Sequence, residues 1–441
     1  MNTESKVATG ISGRLKNTFR SLRYRNYRLF FTGQSISLIG TWIQQIAMPW
    51  LVYSVTDSVF LLGFIGFLGQ IPSFLFSPFA GVLSDRRNRY HILIVTQILS
   101  MLLAFSMAGL YFSGTIEVWN IALLSFLSGC VNSIDIPARQ SLIVEMVDDK
   151  RDLGNAIALN SSMVNGARLI GPSIAGFLIA LTNEGVCFLV NGISYLFVIC
   201  SLLIMKLNIC KKNRQSKKII KELKEGFSYT FGSPPIKSIM LLIGLVSLMG
   251  MPYVVLLPVF AREIFSGDSH TFGLLMGASG FGALTGALYL ASRRRSVRLG
   301  RILPFSTTIF GLGLISFSFS HFFLLSIILM IMTGLGVMLQ TASANTILQT
   351  IVDDDKRGRV MSFFTMSFIG MAPFGSLLAG SLAKIAGAPF TLAFGGLICL
   401  SGAFAFARAL PELQKEVHPI YARMDADKSA QEEVFLAQKE V

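Results

Sequence analysis

Few residues in this sequence could carry chemistry by themselves. The four histidines, His91, His270, His321 and His418, are scattered and show no ligand spacing. Of the five cysteines, Cys130, Cys187, Cys200 and Cys399 lie in apolar runs and Cys210 lies in a basic loop. That pattern predicts neither a metal site nor a disulfide. A Gly-rich phosphate loop closed by Lys-Ser or Lys-Thr does not occur, and no nucleophile motif appears. Enzymatic chemistry, ATP drive and a cofactor are therefore not expected. Two ions stand out by position. Arg168 sits near the middle of an apolar run, and Asp135 sits near the end of another. Charges inside a membrane are costly and mark function. No acid lies at the depth of Arg168. Two readings are open for it: it binds an anionic group of a substrate, or it bonds backbone carbonyls freed near Pro172 and the neighbouring Asn165. Gln34, Gln44, Gln45, Asn132, Asn160, Asn165 and Asn191 are further polar residues in apolar runs. Some are expected to line a cavity. Others tie helices together, at roughly 0.6 kcal/mol each.

The elements that hold these residues are membrane spans. The chain has 441 residues, 52% hydrophobic and only 14% charged, with a mean hydropathy of +0.62. A soluble domain needs about a quarter of its residues charged, so much of this surface faces something other than water. A helix crosses a bilayer in about 20 apolar residues. Such runs are read at 29–54, 60–83, 91–112, 118–137, 156–181, 186–206, 236–261, 271–291, 302–319, 323–350, 360–384 and 388–409. The expected fold is an all-α membrane protein with twelve spans. The first 28 residues are polar and basic, so the first span is expected to be its own insertion signal.

Charge orients the spans. The net charge is +14, but it is spent on alternate loops rather than on one nucleic-acid-binding face. One side collects Lys6, Arg14, Lys16, Arg20, Arg23, Arg25 and Arg28, then Arg86, Arg87 and Arg89, then Arg139, Lys150 and Arg151. Further on, the same side collects the Lys-rich stretch 206–237, Arg293 to Arg295, Arg298, Arg301, Lys356, Arg357 and Arg359. The other side holds only Arg262 and Lys384. Cytoplasmic loops are the basic ones, so both termini are expected in the cytoplasm.

The longest internal loop divides the spans six and six. The expected organisation is an N-terminal arm 1–28, a first six-helix half 29–206, a linker 207–235, a second half 236–409 and a tail 410–441. In the linker, Ile219, Ile220, Leu223, Phe227 and Phe231 share one helical face, an amphipathic pattern suited to the membrane surface. Plain linker and coupling strut are both open; so are helix and disorder for the tail. The halves also repeat: IVEMVDDKRD at 143–152 answers QTIVDDDKRG at 349–358, and GPSIAG at 171–176 answers GSLLAG at 375–380. Two pseudo-symmetric halves imply a transporter with its substrate between them.

Specific motifs narrow the class. The loop GVLSDRRNRY, Gly81 to Tyr90, sets Gly81 where a helix backbone can approach, and Asp85, Arg86 and Arg89 where ions pair. This Gly-x-x-x-Asp-Arg-x-x-Arg pattern resembles the signature loop of the major facilitator superfamily, which usually carries Gly at the place of Asn88 and a basic residue at that of Tyr90. The second-half loop SRRRSVR, Ser292 to Arg298, lacks the acid. On the fifth span, Gly166, Gly171, Pro172 and Gly176 resemble the Gly-Pro motif of that superfamily's exporters; ordinary small-residue packing is the other reading. The block Asp135-Ile-Pro-Ala-Arg139-Gln, the later NAIALNSS and the opening LRYRNYRLFFTGQSISLIGTWIQ resemble the transmembrane secretion effector branch over about residues 20–410. That branch includes the enterobactin exporter and macrolide-efflux proteins. The resemblance implies a cytoplasmic gate, with Asp135 paired to Arg89, Arg139 close by, and Asp85 at the start of span eleven near Arg359. The plain alternative is that Asp135 only begins a loop.

The expected function is secondary active export of a small organic molecule across a bacterial inner membrane by a monomer, with protons as the implied counter-ion. Two substrate classes are open, siderophores, favoured by Arg168, and drugs or macrolide-like compounds. A non-transporting receptor on the same scaffold is the rival of another class.

Overall fold

The computed structural model describes residues 19–86, 88–147, 149, 152–206, 219–292, 299–353 and 356–437; within these, the side chains at 77–86, 219–224, 291–292, 299 and 418–437 are not described. Among the described residues the structure is all-helical. The first six long helices are α1 Arg25–Thr56, α2 Val59–Arg86, α3 Arg89–Phe112, α4 Val118–Ile143, α5 Leu153–Leu181 and α6 Glu184–Ile204. Their ends follow local chemistry. Asn88 and Asn183 cap α3 and α6, accepting from Tyr90 N and Val186 N. Asp57 ends α1 in the left-handed region at φ 48° and returns its N–H to Tyr53 O.

The later helices are α7 Ile219–Gly232, α8 Pro234–Leu245, α9 Tyr253–Val259, α10 Ser269–Ser292, α11 Leu299–Ser318, α12 Phe323–Ile351, α13 Arg357–Phe368, α14 Ala372–Ala386 and α15 Ala388–Ala437. Two π-helical turns, Val246–Gly250 and Phe260–Ile264, flank α9. Such turns cluster at functional points of helices. The tail left open by the sequence continues α15 as helix to Ala437.

Eleven stretches among the described residues are long and apolar enough to cross a membrane. Helix α1 is not one of them, although its 32 residues span about 48 Å. Its glutamines, serines and threonines dilute its hydropathy. Those polar residues are the ones that the sequence marks as candidates for a site.

The chain forms two compact units, Met1–Gln215 with Val255–Gly280, and Ser216–Val254 with Phe281–Val441. In the first, α1 packs on α5 and α6, α2 on α4, and α3 on α6. Its core is built by Tyr27, Phe30, Leu93, Leu142, Val198 and Leu202. The hairpin Val255–Gly280 belongs to this unit because α10 meets α5 backbone to backbone. A Cβ added at Gly273 would sit 2.8 Å from both Gly176 Cα and Pro172 O, and one at Gly280 would sit 3.0 Å from Arg168 O. Glycine at these places permits the close crossing.

The second unit packs α11 on α12 and α15 around Ile243, Leu303, Leu348 and Val360. The amphipathic helix α7 is docked in this unit. Glu225 pairs with Arg359 at 3.0 Å, and Phe227 and Phe231 meet Phe363 edge to face. Tyr229 Oη donates to Asp353 at 3.2 Å; burial first, and that carboxylate, push its phenol up. The first unit has a counterpart. Tyr24 Oη donates to Asp152 at 2.9 Å, and Arg20 and Arg23 pair with the same carboxylate at 2.8 Å each.

Candidate functional site

Helix α5 positions the guanidinium. One of its faces exposes Ile170, Ile174, Phe177 and Leu181, an apolar strip that lipid covers. Residues two apart on a helix differ by about 200°, so Arg168 lies opposite Ile170. With Arg168 on that other face are Asn165, half-buried, and Ser161, exposed. Asn165 Nδ2 donates to Ser161 O at 2.8 Å. The guanidinium carbon of Arg168 stands 5.7 Å from the ring centroid of Trp42 on α1. Arg168 is half-buried and makes no ion pair with any described residue. A guanidinium carries five donors, and here no carboxylate fills its fork.

The glycines of α5 have separate tasks. A Cβ at Gly171 would overlap Trp42 Cβ, so this glycine admits the Trp42 side chain. Gly176 and Pro172 O face α10. Gly166 meets nothing within 4 Å, so the close-packed groove runs from Gly171 to Gly176 and leaves Gly166 out of it. The reason is its place on the helix, one turn short of the crossing.

Asp135 is 4% exposed. Its Oδ1 accepts from Thr96 Oγ1 at 2.7 Å and from Gln97 Nε2 at 2.8 Å, both on α3. Its Oδ2 faces Arg139 Nε at 3.6 Å, one turn along α4. The expected pair of Asp135 with Arg89 is not formed. Arg89 pairs instead with Glu145 at 2.9 Å. Depth explains the difference: Thr96 lies seven residues beyond Arg89, about 10 Å further along α3. Asp135 is thus a buried carboxylate in a helix interface, not the start of a loop. The side chains of Gly81, Asp85 and Arg86 lie outside the described residues, so the rest of the signature loop stays an expectation.

Polar contacts also join α1 to α6. The Tyr195 hydroxyl on α6 lies 3.4 Å from Thr41 Oγ1 on α1. Asn191 Nδ2 donates to Gln44 Oε1 at 2.6 Å. Gln44 and Asn191 therefore tie α1 to α6. Among the other candidates, Gln45 and Asn132 are exposed and Asn160 is half-buried. Gln34 does not line a cavity: it is 2% exposed, and its Oε1 has no partner among the described residues. The packing of α1 against its neighbours turns it inward.

A cluster that sequence reasoning missed joins α1 to the hairpin. Tyr53 Oη donates to Glu263. Arg262 pairs with Asp57 at 2.6 Å and covers the Tyr53 ring, and Trp50 stacks on Phe272 at 6.1 Å. The one available signal was Arg262, which with Lys384 makes up the sparse charge of its side.

Eleven helical stretches of membrane length among the described residues define a polytopic membrane protein. Solved structures share the fold. A POT family transporter in complex with 5-aminolevulinic acid matches with a TM-score of 0.72 at 11% identity, over 88% of this chain and 96% of that one. A bacterial homologue of the iron transporter ferroportin, in an inward-facing state, matches with a TM-score of 0.64 at 16% identity, over 88% and 98%. Residues 16–433 match the family model described as transmembrane secretion effector, and the chain belongs to this family of the major facilitator superfamily. Among curated relatives, the staphyloferrin A transporter of Staphylococcus aureus is 27% identical, over 88% of this chain and 98% of that protein. Macrolide efflux protein A of Streptococcus pyogenes is 23% identical, over 86% and 96%. The enterobactin exporter of Salmonella typhimurium is 25% identical, over 81% and 85%. The protein is a multi-pass membrane transporter and not an enzyme.

Proposed function

We propose that this protein exports a small anionic organic molecule of the siderophore class across the bacterial inner membrane, in exchange for protons. Helix α1 serves as the first of twelve spans. The halves 29–206 and 236–409 rock around the substrate as a monomer, with both termini in the cytoplasm. The observation that carries this reading is Arg168, a cation at membrane depth, on the face of α5 opposite the lipid strip, with its fork unfilled by any described carboxylate. An incoming carboxylate gains charge-assisted hydrogen bonds there. Gln45, Asn132 and Asn160 offer neutral contacts to the remainder of the molecule. The siderophore-transporting relatives support the substrate class by analogy.

Asp135 is the proposed proton carrier. As a carboxylate it accepts from Thr96 and Gln97 and faces Arg139. Once protonated it gives up its charge against Arg139 and holds one fewer acceptor position. That change alters how α3 and α4 are tied together, and so links proton uptake to the conformation of the first half.

The test is retention of a labelled siderophore and of a fluorescent cationic drug in cells without their own efflux pumps. Expected is low siderophore retention with wild type, restored by Arg168→Ala, by Asp135→Asn or by a protonophore. Extrusion of the drug alone, unchanged by Arg168→Ala, would assign the protein to drug efflux and Arg168 to structure. If neither compound moves, the receptor reading replaces export.

A further inference from the structure

The environment of Arg168 contains more than an unfilled fork. No described carboxylate holds the side chain in place, yet it must be held to bind at low cost in entropy. The neighbour that performs this is Trp42, whose ring face lies 5.7 Å from the guanidinium carbon. An aromatic face attracts a guanidinium through its quadrupole and leaves the in-plane N–H donors open. A carboxylate partner would occupy those donors instead. Trp42 is in turn held through Gly171, because any Cβ at that position overlaps Trp42 Cβ. Gly171 therefore seats the Cα and Cβ of Trp42 against α5, and the indole of the same residue faces the guanidinium.

We propose that Trp42 is a specificity-determining residue that presents Arg168 as an open anion receptor, and that Gly171 serves by admitting it. This rests on the reading of Arg168 as the substrate's anion site. The ligand class is a carboxylate-bearing molecule; an uncharged molecule of the same shape gains nothing from this arrangement. Trp42 acts through Arg168, so its loss weakens charge selection more than it weakens transport of uncharged compounds.

The test uses purified full-length protein, with citrate as an anionic probe and triethyl citrate as its uncharged counterpart. The chain has three tryptophans. In a Trp50→Phe/Trp119→Phe background the emission of Trp42 alone reports the site. Citrate is expected to change that emission, triethyl citrate is not, and Arg168→Ala abolishes the response. Binding of radiolabelled citrate then ranks the variants. Trp42→Leu raises Kd about tenfold, and Trp42→Phe, which keeps a smaller face, raises it about threefold. Gly171→Ala behaves like Trp42→Leu. Each variant is first required to elute as one symmetric peak, and Trp42→Phe serves where Trp42→Leu does not. If Arg168→Ala loses citrate while Trp42→Leu, Trp42→Phe and Gly171→Ala bind it like wild type, Trp42 is packing only; the proposal falls and the anion site stands. If Arg168→Ala binds citrate like wild type, or wild type does not bind it at all, the anion site itself is overturned.

Discussion

The two units each carry a copy of one short repeat, 143–152 and 349–358, and they differ in the buried polar side chain on the helix that precedes it. Asp135 stands on α4 before the first copy, and Gln340 on α12 before the second. Both are deeply buried. Asp135 receives two hydrogen bonds from α3 and faces Arg139. Gln340 leaves its Nε2 without a partner among the described residues. On α11 the fully buried Ser306 and Thr307 turn back to Leu303 O of their own helix, at 3.0 and 2.8 Å. The structural tie outside the spans is retained in both units, Tyr24 to Asp152 and Tyr229 to Asp353. The two units thus share this tie, while the carboxylate of Asp135 and the amide of Gln340 set their helix interfaces apart.

That contrast is open to direct attack. Asp135→Ala strips Arg139 and Gln97 of their acceptor and is expected to cost about 3 kcal/mol, read as a fall in Tm by thermal shift in detergent. The buried amide of the second unit should move the other way. Gln340→Met removes an Nε2 with no partner among the described residues and is expected to stabilise by about 1 kcal/mol, with transport unchanged. A fall in Tm for both would mean that Gln340 is held by a bond as firm as those of Asp135, and the asymmetry would be lost.

Smaller effects sharpen the comparison. Tyr229→Phe removes one hydrogen bond and should cost about 1 kcal/mol; Tyr24→Phe removes the bond to Asp152 and the one accepted from Arg23 Nη2 and should cost somewhat more, and equal losses would show that the Arg23 contact adds nothing. Within the Gly-Pro motif, Gly166→Ala meets no neighbour and should stabilise α5 by about 0.5–1 kcal/mol. Gly176→Ala, which would crowd Ser269 O and Gly273, should instead lower Tm. Smallest of all is Asp57→Asn. It breaks an exposed pair with Arg262 in which Asp57 is 71% exposed, so a loss of at most about 0.5 kcal/mol is expected, fading in high salt.

Much of the fold was legible in residue order. Apolar runs of membrane length, separated by basic loops, reveal spans because each property is local to a stretch of chain. The repeat was legible for the same reason. Helix α1 is less apolar than the eleven stretches of membrane length, because Gln34, Gln44 and Gln45 break its apolar pattern. The site was legible in part. Arg168 stood out as a lone charge in an apolar run, and Asp135 as the acid nearest to a span's interior. Their partners did not stand out. Arg89 was as plausible a mate for Asp135 as Arg139, and nothing in the order of residues linked Trp42 to Arg168 across 126 positions (168 − 42 = 126).

By itself, then, the sequence determined that this protein is a helical membrane transporter, which stretches are long and apolar enough to cross a bilayer, and which charged residues lie within them. Composition and periodicity specify these because the hydrophobic effect acts on each segment separately. Only the tertiary structure decided that Asp135 lies level with Thr96 and Gln97, that Gln34 turns inward, and that Gly171 makes room for Trp42 beneath Arg168. Those outcomes depend on the axial offset and rotation of one helix against another, which close packing of side chains sets and no single helix encodes.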